Sequence, residues 1–401
     1  MGITLFVNSC IEDSFSTNID DLPLELKDSS TVDIELIPYQ SPPDIGSHRY
    51  LYLGNKNGFK IDRTLLKLGS LTALRDSSFH IVDSKIKLTL VDSVLEYQPS
   101  FLISYVAMDS TMEFSESGTN FSNDDWLDDI VFDEQLTSSL TQDTSGTYAI
   151  EFSVDTSVVL VWADTSETSR LLMLETQGLS GELIQFYATE NGSFAPALIV
   201  SYSDSVTVTV DSIDTLILDT LELVLEMSAD VSIVEPPLFT EGAFDSTLLY
   251  FSNGAGMKAL MNVDLSALNV PEEAVILRAN LVLHNDSLNS QWITDGIFKM
   301  KIATLIDSIT NVEDYDWPAF ISEDSLGTGT LKVSMLDSAS LQITHRIDRL
   351  VEPIFLGIQE NLGFKLETSA TPSIFNFVTF YTSLYPDPSL HPRLEIYYGI
   401  P

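Results

Sequence analysis

Cysteine is almost absent. Cys10 is the single one in 401 residues, which excludes an internal disulfide framework and a zinc site built on thiolates. Basic residues are scarce as well: 19 Lys and Arg stand against 59 Asp and Glu, for a formal net charge of −40. A surface of that sign repels nucleic acid and anionic lipid headgroups, because it cannot take the place of their counterions. Its partners are neutral, cationic or bridged by divalent cations. No stretch reaches the roughly 18 uninterrupted apolar residues of a membrane-spanning helix. The chain also lacks a phosphate-cradling glycine loop followed by Lys, and it has no nucleophile elbow. The 5 histidines (His48, His80, His284, His345 and His391) share no close metal-ligand spacing. Among so many Ser and Asp, nothing selects a Ser-His-Asp triad or the paired carboxylates of a glycosidase. The chain reads as non-catalytic.

What is present is material for cores. Hydrophobic residues make up 44% and aromatics 10%, and the length suits two domains of about 150–200 residues each. Period-2 alternation dominates, as in Ile86-Lys87-Leu88-Thr89-Leu90, Val206-Thr207-Val208-Thr209-Val210 and Leu394-Glu395-Ile396-Tyr397. Turn chemistry such as Gly54-Asn55-Lys56-Asn57-Gly58 and Glu190-Asn191-Gly192-Ser193 separates these runs. Leu216 to Met227 could be scored as a helix, but its β-branched neighbours favour strands. The chain is predicted to be all-β.

An internal repeat organises it. Tyr50-Leu51-Tyr52-Leu53-Gly54 recurs roughly 200 residues later as Leu249-Tyr250-Phe251-Ser252-Asn253-Gly254. Val82 to Leu88 then matches Leu277 to Leu283, and Leu172-Met173-Leu174-Glu175-Thr176 matches Phe364-Lys365-Leu366-Glu367-Thr368. A loop tryptophan, Trp126 or Trp317, lies between these motifs in each half. Phe186-Tyr187 leading to Pro196 matches Phe380-Tyr381 leading to Pro392. The expected organisation is an N-terminal segment 1–29, repeat one over 30–204, a strand-like acidic connector over 205–229 and repeat two over 230–401. Val231 to Pro237 mirrors Val32 to Pro38 at the start of repeat one. The connector is apolar enough to pack, so the domains are expected to be fixed end to end.

Asp62-Arg63-Thr64-Leu65-Leu66-Lys67-Leu68, the two Leu-rich strands and the ending Phe380-Tyr381-Thr382-Ser383 through His391-Pro392-Arg393-Leu394 resemble the DNRLRE family. These are β-sandwich modules of secreted and surface bacterial proteins that also occur as carbohydrate-binding modules. The resemblance covers roughly residues 30–203 and 230–399, and it implies two tandem antiparallel, jelly-roll-like β-sandwiches arising from a duplication. It departs where Lys258-Ala259-Leu260-Met261 replaces the Arg strand, and where Ala195-Pro196-Ala197 lacks the closing Arg.

Candidate functional residues follow. Leu5-Phe6-Val7-Asn8-Ser9-Cys10 ends as a lipoprotein signal does, which would make Cys10 a lipidation site and put the protein on the outer cell surface; Met1 to Thr4 supplies no basic leader, so an incidental cysteine is the alternative. The cluster Asp124, Asp125, Asp128 and Asp129 suits Ca²⁺ or a solvated acidic loop, since the EF-hand spacing and its Gly are missing. Trp126, Trp317, Tyr315, Tyr50 and Tyr52 could stack on sugar rings or anchor loops. Arg63 could contact a ligand or pair with a neighbouring carboxylate. Two functions fit this set, a surface lipoprotein that binds or adheres to polysaccharide, or a structural subunit that packs against copies or other surface proteins; a hydrolase with an unrecognised site ranks behind both.

Overall fold

The computed structural model describes residues 26–400 apart from 44, 47, 70, 72–73, 75–79, 92–99, 110–111, 113, 145, 165–168, 178–182, 211–212, 238–244, 253–255, 291–297, 307–318, 321–326, 337–340 and 369–374. Cys10, Tyr315 and Trp317 lie outside the described residues. The chain opens with β1 (Leu26–Asp33) and β2 (Glu35–Gln40). The first half then runs β3 (Tyr50–Lys56), β4 (Phe59–Leu68), β5 (His80–Thr89), β6 (Ser100–Ala107), β7 (Glu134–Gln142), β8 (Tyr148–Ser153), helix α1 (Thr156–Asp164), β9 (Arg170–Gln177), β10 (Leu183–Tyr187), β11 (Ala197–Val210) and β12 (Ile213–Glu235). The second half runs β13 (Leu248–Ser252), β14 (Met257–Asn262), β15 (Val275–His284), β16 (Phe298–Leu305), β17 (Ala319–Phe320), β18 (Thr328–Leu336), β19 (Gln342–Arg346), helix α2 (Asp348–Phe355), β20 (Phe364–Thr368), β21 (Phe377–Tyr381) and β22 (Arg393–Ile400). The protein is mostly β, as the alternation predicts, and Leu216 to Met227 is strand.

Local chemistry accounts for these elements. β5 buries Ile81, Ser84, Ile86 and Leu88, nearly every second residue, while Lys85 and Lys87 stay only partly covered. β3 turns into β4 through Asn57 and Gly58, both at positive φ (56 and 86) with Lys56 facing Phe59, a two-residue turn whose twist suits a hairpin. α1 escapes the alternation pattern because Val158, Val159 and Val161 are strand-favouring residues in a helix. Its start is held by Asp155, whose carboxylate accepts from the Ser157 backbone N–H at 2.8 Å.

In the first half the ladder β4-β12-β11-β5-β8-β7-β6-β9 returns to β4, giving a closed eight-stranded barrel with β3 and β10 attached beside β4. Two strands serve both walls. β7 pairs with β6 over its first residues and with β8 over its last. β12 pairs with β11 up to Glu226, then shifts register around Ser228 and continues along β4. An irregularity of that kind bends a strand from one wall to the next. The interior holds Leu66, Ile86, Phe101, Ile103, Phe152, Leu172, Leu174, Phe186 and Leu198, all fully covered.

Chain order and sheet membership part company in the second half. There β15 is flanked by β22 and β19, and β22 by β1; a second sheet runs β17-β2-β14-β20-β16-β18. β1 and β2, from the start of the chain, therefore lie along β22 and β14 just as the two parts of β12 lie along β11 and β4. The break at Ile34, a buried residue whose N–H donates to Pro392 O at 3.1 Å, takes the place of the β12 bend. Val32 faces Leu394 as Leu225 faces Leu198, so the register differs from the Val231-to-Val32 match that the sequence suggests. Gly256 is required at the crossing: its φ is +86, and a Cβ there would stand 2.0 Å from Ser41 O.

The halves meet through a small core of Ile45, Tyr52, Phe59, Ile61, Val234, Met257 and Phe375. The Phe375 ring lies edge-on to Tyr52 at 5.0 Å, and its carbonyl accepts from Asn57 Nδ2 at 2.7 Å. Gln40 Nε2 donates to Pro237 O at 2.8 Å between the two connecting segments.

Candidate functional site

β4 is covered on both sides. Leu66 and Leu68 enter the barrel, while Leu65 faces outward with Leu171 and Met173 of β9 and Val231 and Ile233 of β12. The long connection from β6 to β7 folds over this outer face and seals it with Leu127, Phe114, Phe121, Trp126, Ile130 and Phe132. The connection holds its own shape: Asn123 Nδ2 donates to Gly118 O at 2.6 Å, and Asn120 Oδ1 accepts from the Ser122 N–H at 2.9 Å. A short turn over Asp125–Asp129 then carries the acidic cluster.

That turn brings the acidic cluster to Arg63. Arg63 Nη2 donates to Asp128 Oδ1 at 2.9 Å, and Nη1 stands 3.9 Å from Asp124 Oδ2. Across the strand pair Arg63 faces Glu175 of β9. Burial pushes the carboxyls of Asp124 and Glu175 above their ordinary value, and the Arg63 guanidinium opposes the shift at both. Beside the arginine opens a cleft of about 270 Å³, lined by Lys60, Asp62, Arg63, Phe121, Asp124, Ile233 and Glu235. Lys60 pairs with Asp62 and lies 3.8 Å from Glu235.

The structure thus joins three of the residues singled out from sequence, Arg63, Asp124 and Asp128. Asp125 and Asp129 are exposed on the same turn, and no group of three or more acidic, His or Cys side chains converges as a metal cage among the described residues. Trp126 is half-buried against the outer core and does not line the cleft; Phe121 does. Tyr52 is fully buried, which leaves the anchoring alternative and not the stacking one, and Tyr50 packs against Tyr187 at 5.9 Å. Lys60, Phe121 and Glu235 carried no motif, and Asp62 stood in the Arg63 strand motif without a ligand role of its own. Only the turn asparagines ahead of Asp124 hinted that Phe121 would be folded back.

The equivalent face of the second half has the opposite charge balance. Lys258 of β14 occupies the place of Arg63, and Glu367 of β20 that of Glu175. Glu367 meets Lys301, Lys365 at 3.2 Å and Lys258 at 3.9 Å. Burial alone would raise the Glu367 carboxyl, but the three ammonium groups hold it below its ordinary value.

No protein-family model matches the chain, and no curated protein does. Among solved structures, the pilus backbone protein RrgB from Streptococcus pneumoniae aligns over 92% of this chain and 88% of that one, at 8% identity and a TM-score of 0.15. That score carries no inference about fold or function. No described helix is long and apolar enough to cross a membrane.

Proposed function

We propose that the chain is a non-catalytic cell-surface lipoprotein, anchored through Cys10, that takes a polysaccharide in the cleft over β4 and β12. The observation that carries this reading is the composition of that cleft. Two cations (Lys60, Arg63) and three carboxylates (Asp62, Asp124, Glu235) line it together with Phe121 and Ile233. Sugar hydroxyls both donate and accept, so a lining of mixed sign satisfies them in either role, and an aromatic ring suits the C–H face of a pyranose. We also propose that the halves are duplicated sandwich modules akin to the DNRLRE family. The parallel order β5, β6, β7, β8, α1, β9, β10, β11 and β15, β16, β18, β19, α2, β20, β21, β22 supports this, as do the equivalent places of Arg63 and Lys258. Glycan-array binding by the purified chain tests the function. Phe121→Ala and Asp62→Asn should each weaken a bound glycan at least tenfold, and an array without hits, or hits indifferent to both changes, would remove the reading.

A second reading, a subunit of a surface assembly, is favoured by one feature. Beyond Ser203 and Thr220 the β11–β12 hairpin continues to Val210 and Ile213 with no third strand beside it among the described residues. A two-stranded ribbon offers open edges to another chain. Isolation from native membrane or medium separates the two readings: a monomer that binds glycans excludes the second, and a stoichiometric complex without glycan affinity excludes the first.

A further inference from the structure

The connection that covers β4, residues 108–133, is held at two places of opposite character. On one side Arg63 draws in Asp128 and Asp124. On the other, acids meet acids. Glu116 of the cover accepts from the Asp230 N–H in the bend of β12 at 3.3 Å, and the Asp230 carboxylate accepts from the Thr189 N–H at 2.7 Å. Glu190 follows Thr189, and the charges acting on Asp230 are those of Glu190 and Glu116. Along β4, Asp230 faces Leu66, and Lys67 stands one place away opposite Ala229. Three carboxyl groups from three elements thus converge where Asp230 is only 1% exposed.

Glu116 also fixes where the cover lies. Its carbonyl oxygen presses on Gly46, where an added Cβ would stand 1.5 Å from it. Ser115 O accepts from the Gly118 and Thr119 N–H groups at 3.3 and 3.0 Å. Gly118 O accepts from Asn123 Nδ2 at 2.6 Å, and Asn123 Oδ1 from the Asn120 N–H at 2.8 Å. Residues 115–124 are therefore one hydrogen-bonded piece, and it carries Phe121 and Asp124, which line the cleft. A shift at Glu116 moves both.

Burial above all lifts the Asp230 carboxyl to about 7, with Glu190 and Glu116 adding to it and the Thr189 N–H opposing. Burial raises the Glu190 carboxyl as well, again with Glu116 adding. Ionised Asp230 is a covered charge among like charges, which water relieves, and the cover is the piece that can lift to admit it. The folded-state value lies above the ordinary one, so closure is favoured in full below about pH 4 and is lost as pH rises through about 7.

We propose that the Glu116–Asp230 contact is a proton-operated latch: with Asp230 neutral the cover is closed on the cleft, and with Asp230 ionised the piece carrying Phe121 and Asp124 lifts away. Release of a bound glycan at higher pH is the consequence that rests on the cleft being its site; the movement itself needs no ligand. Amide exchange of the full chain, read by mass spectrometry, tests it. Corrected for the intrinsic rate, exchange over 115–124 should rise at least tenfold between about pH 5.5 and about pH 8, on a timescale that leaves β5 and β8 unexchanged. Asp230→Asn should hold the cover at its slow rate throughout, and Glu116→Ala should give the fast rate already at the lower pH. Exchange indifferent to pH, a dependence retained in Asp230→Asn, or protection lost in β5 and β8 together with the cover would overturn the proposal. The expected exchange in a chain that binds no glycan would remove the reading of the cleft and leave the latch standing.

Discussion

The two halves fill the same structural slot from opposite directions along the chain. In the first, the strand that runs from one wall to the other is β12, which reaches its partner β11 through an adjacent hairpin and then bends onto β4. In the second, the slot is filled by β1 and β2, which come from the far end of the sequence to lie along β22 and β14. The bridging strand of the first half is thus held to β11 by a local hairpin, although its pairing with β4 is long-range, whereas in the second half both pairings of the bridging segment join distant parts of the chain. Matching motifs in two halves of a chain need not mark units that fold alone. Here the sheets belong to one half only after residues 26–40 have been counted with the other.

Removing residues 1–40 breaks this comparison most severely. The second half should lose its cooperative unfolding and become protease-sensitive, while the first keeps its own transition; a peptide spanning 26–40, added in trans, should restore the second transition. Calorimetry with limited proteolysis reads both outcomes. A smaller effect comes from the crossing itself. Gly256→Ala would place a methyl group against Ser41 O at positive φ and should destabilise by about 2–4 kcal/mol. Gly192→Ala, also at positive φ but with nothing within 4 Å of the added carbon, should cost about 1 kcal/mol. Denaturant midpoints compare the two.

The outer faces sharpen the contrast in charge. Arg63 is the basic side chain set among Asp124, Asp128 and Glu175, so Arg63→Gln should destabilise by about 1–3 kcal/mol and abolish glycan binding. Lys258→Gln should change stability by less than about 0.5 kcal/mol, because Glu367 keeps Lys301 and Lys365. A further effect is one of pH. Asp230, almost fully covered in the bend of β12, accepts from the Thr189 N–H at 2.7 Å and lies near Glu190 and Glu116; burial, first, and these two acids push its carboxyl up to about 7. Its protonated form is thus favoured on folding. The stability it contributes is complete below about pH 4, near the ordinary value of an unfolded Asp, and is lost as pH rises through about 7. Asp230→Asn should flatten that slope and raise the melting temperature at pH 8. β1 and β2 carry Leu36 at the equivalent place, so the second half should lack the effect.

Much of the fold was legible because alternation reports directly on half-buried strands. The Glu175 and Glu367 strands and the two endings could be matched across the halves by side-chain type alone, whereas the Arg63 strand could not, since Lys258-Ala259-Leu260-Met261 stands in its place. Adjacent buried pairs such as Leu65-Leu66 and Leu171-Leu172 also carried the two-sided covering of the barrel wall, although the covering loop could not be inferred from them. α1 was hidden by its β-branched residues, which favour a strand until tertiary packing decides otherwise. The strand crossing was not legible, since periodicity says which face a residue buries and nothing about which strand lies beside it. At the cleft the sequence offered Arg63 and the aspartates. Phe121, Lys60 and Glu235 come together only through the fold, and Trp126 packs half-buried against the outer core.

One disulfide tests the crossing of the N-terminal strand most directly. Thr31 and Glu395 are Cα partners in the β1–β22 ladder. In a Cys10→Ser background, Thr31→Cys with Glu395→Cys should oxidise within one chain, giving a faster-migrating monomer on a non-reducing gel and a mass lower by two hydrogens. Free thiols in the folded protein, or cross-links found only between chains, would contradict the account.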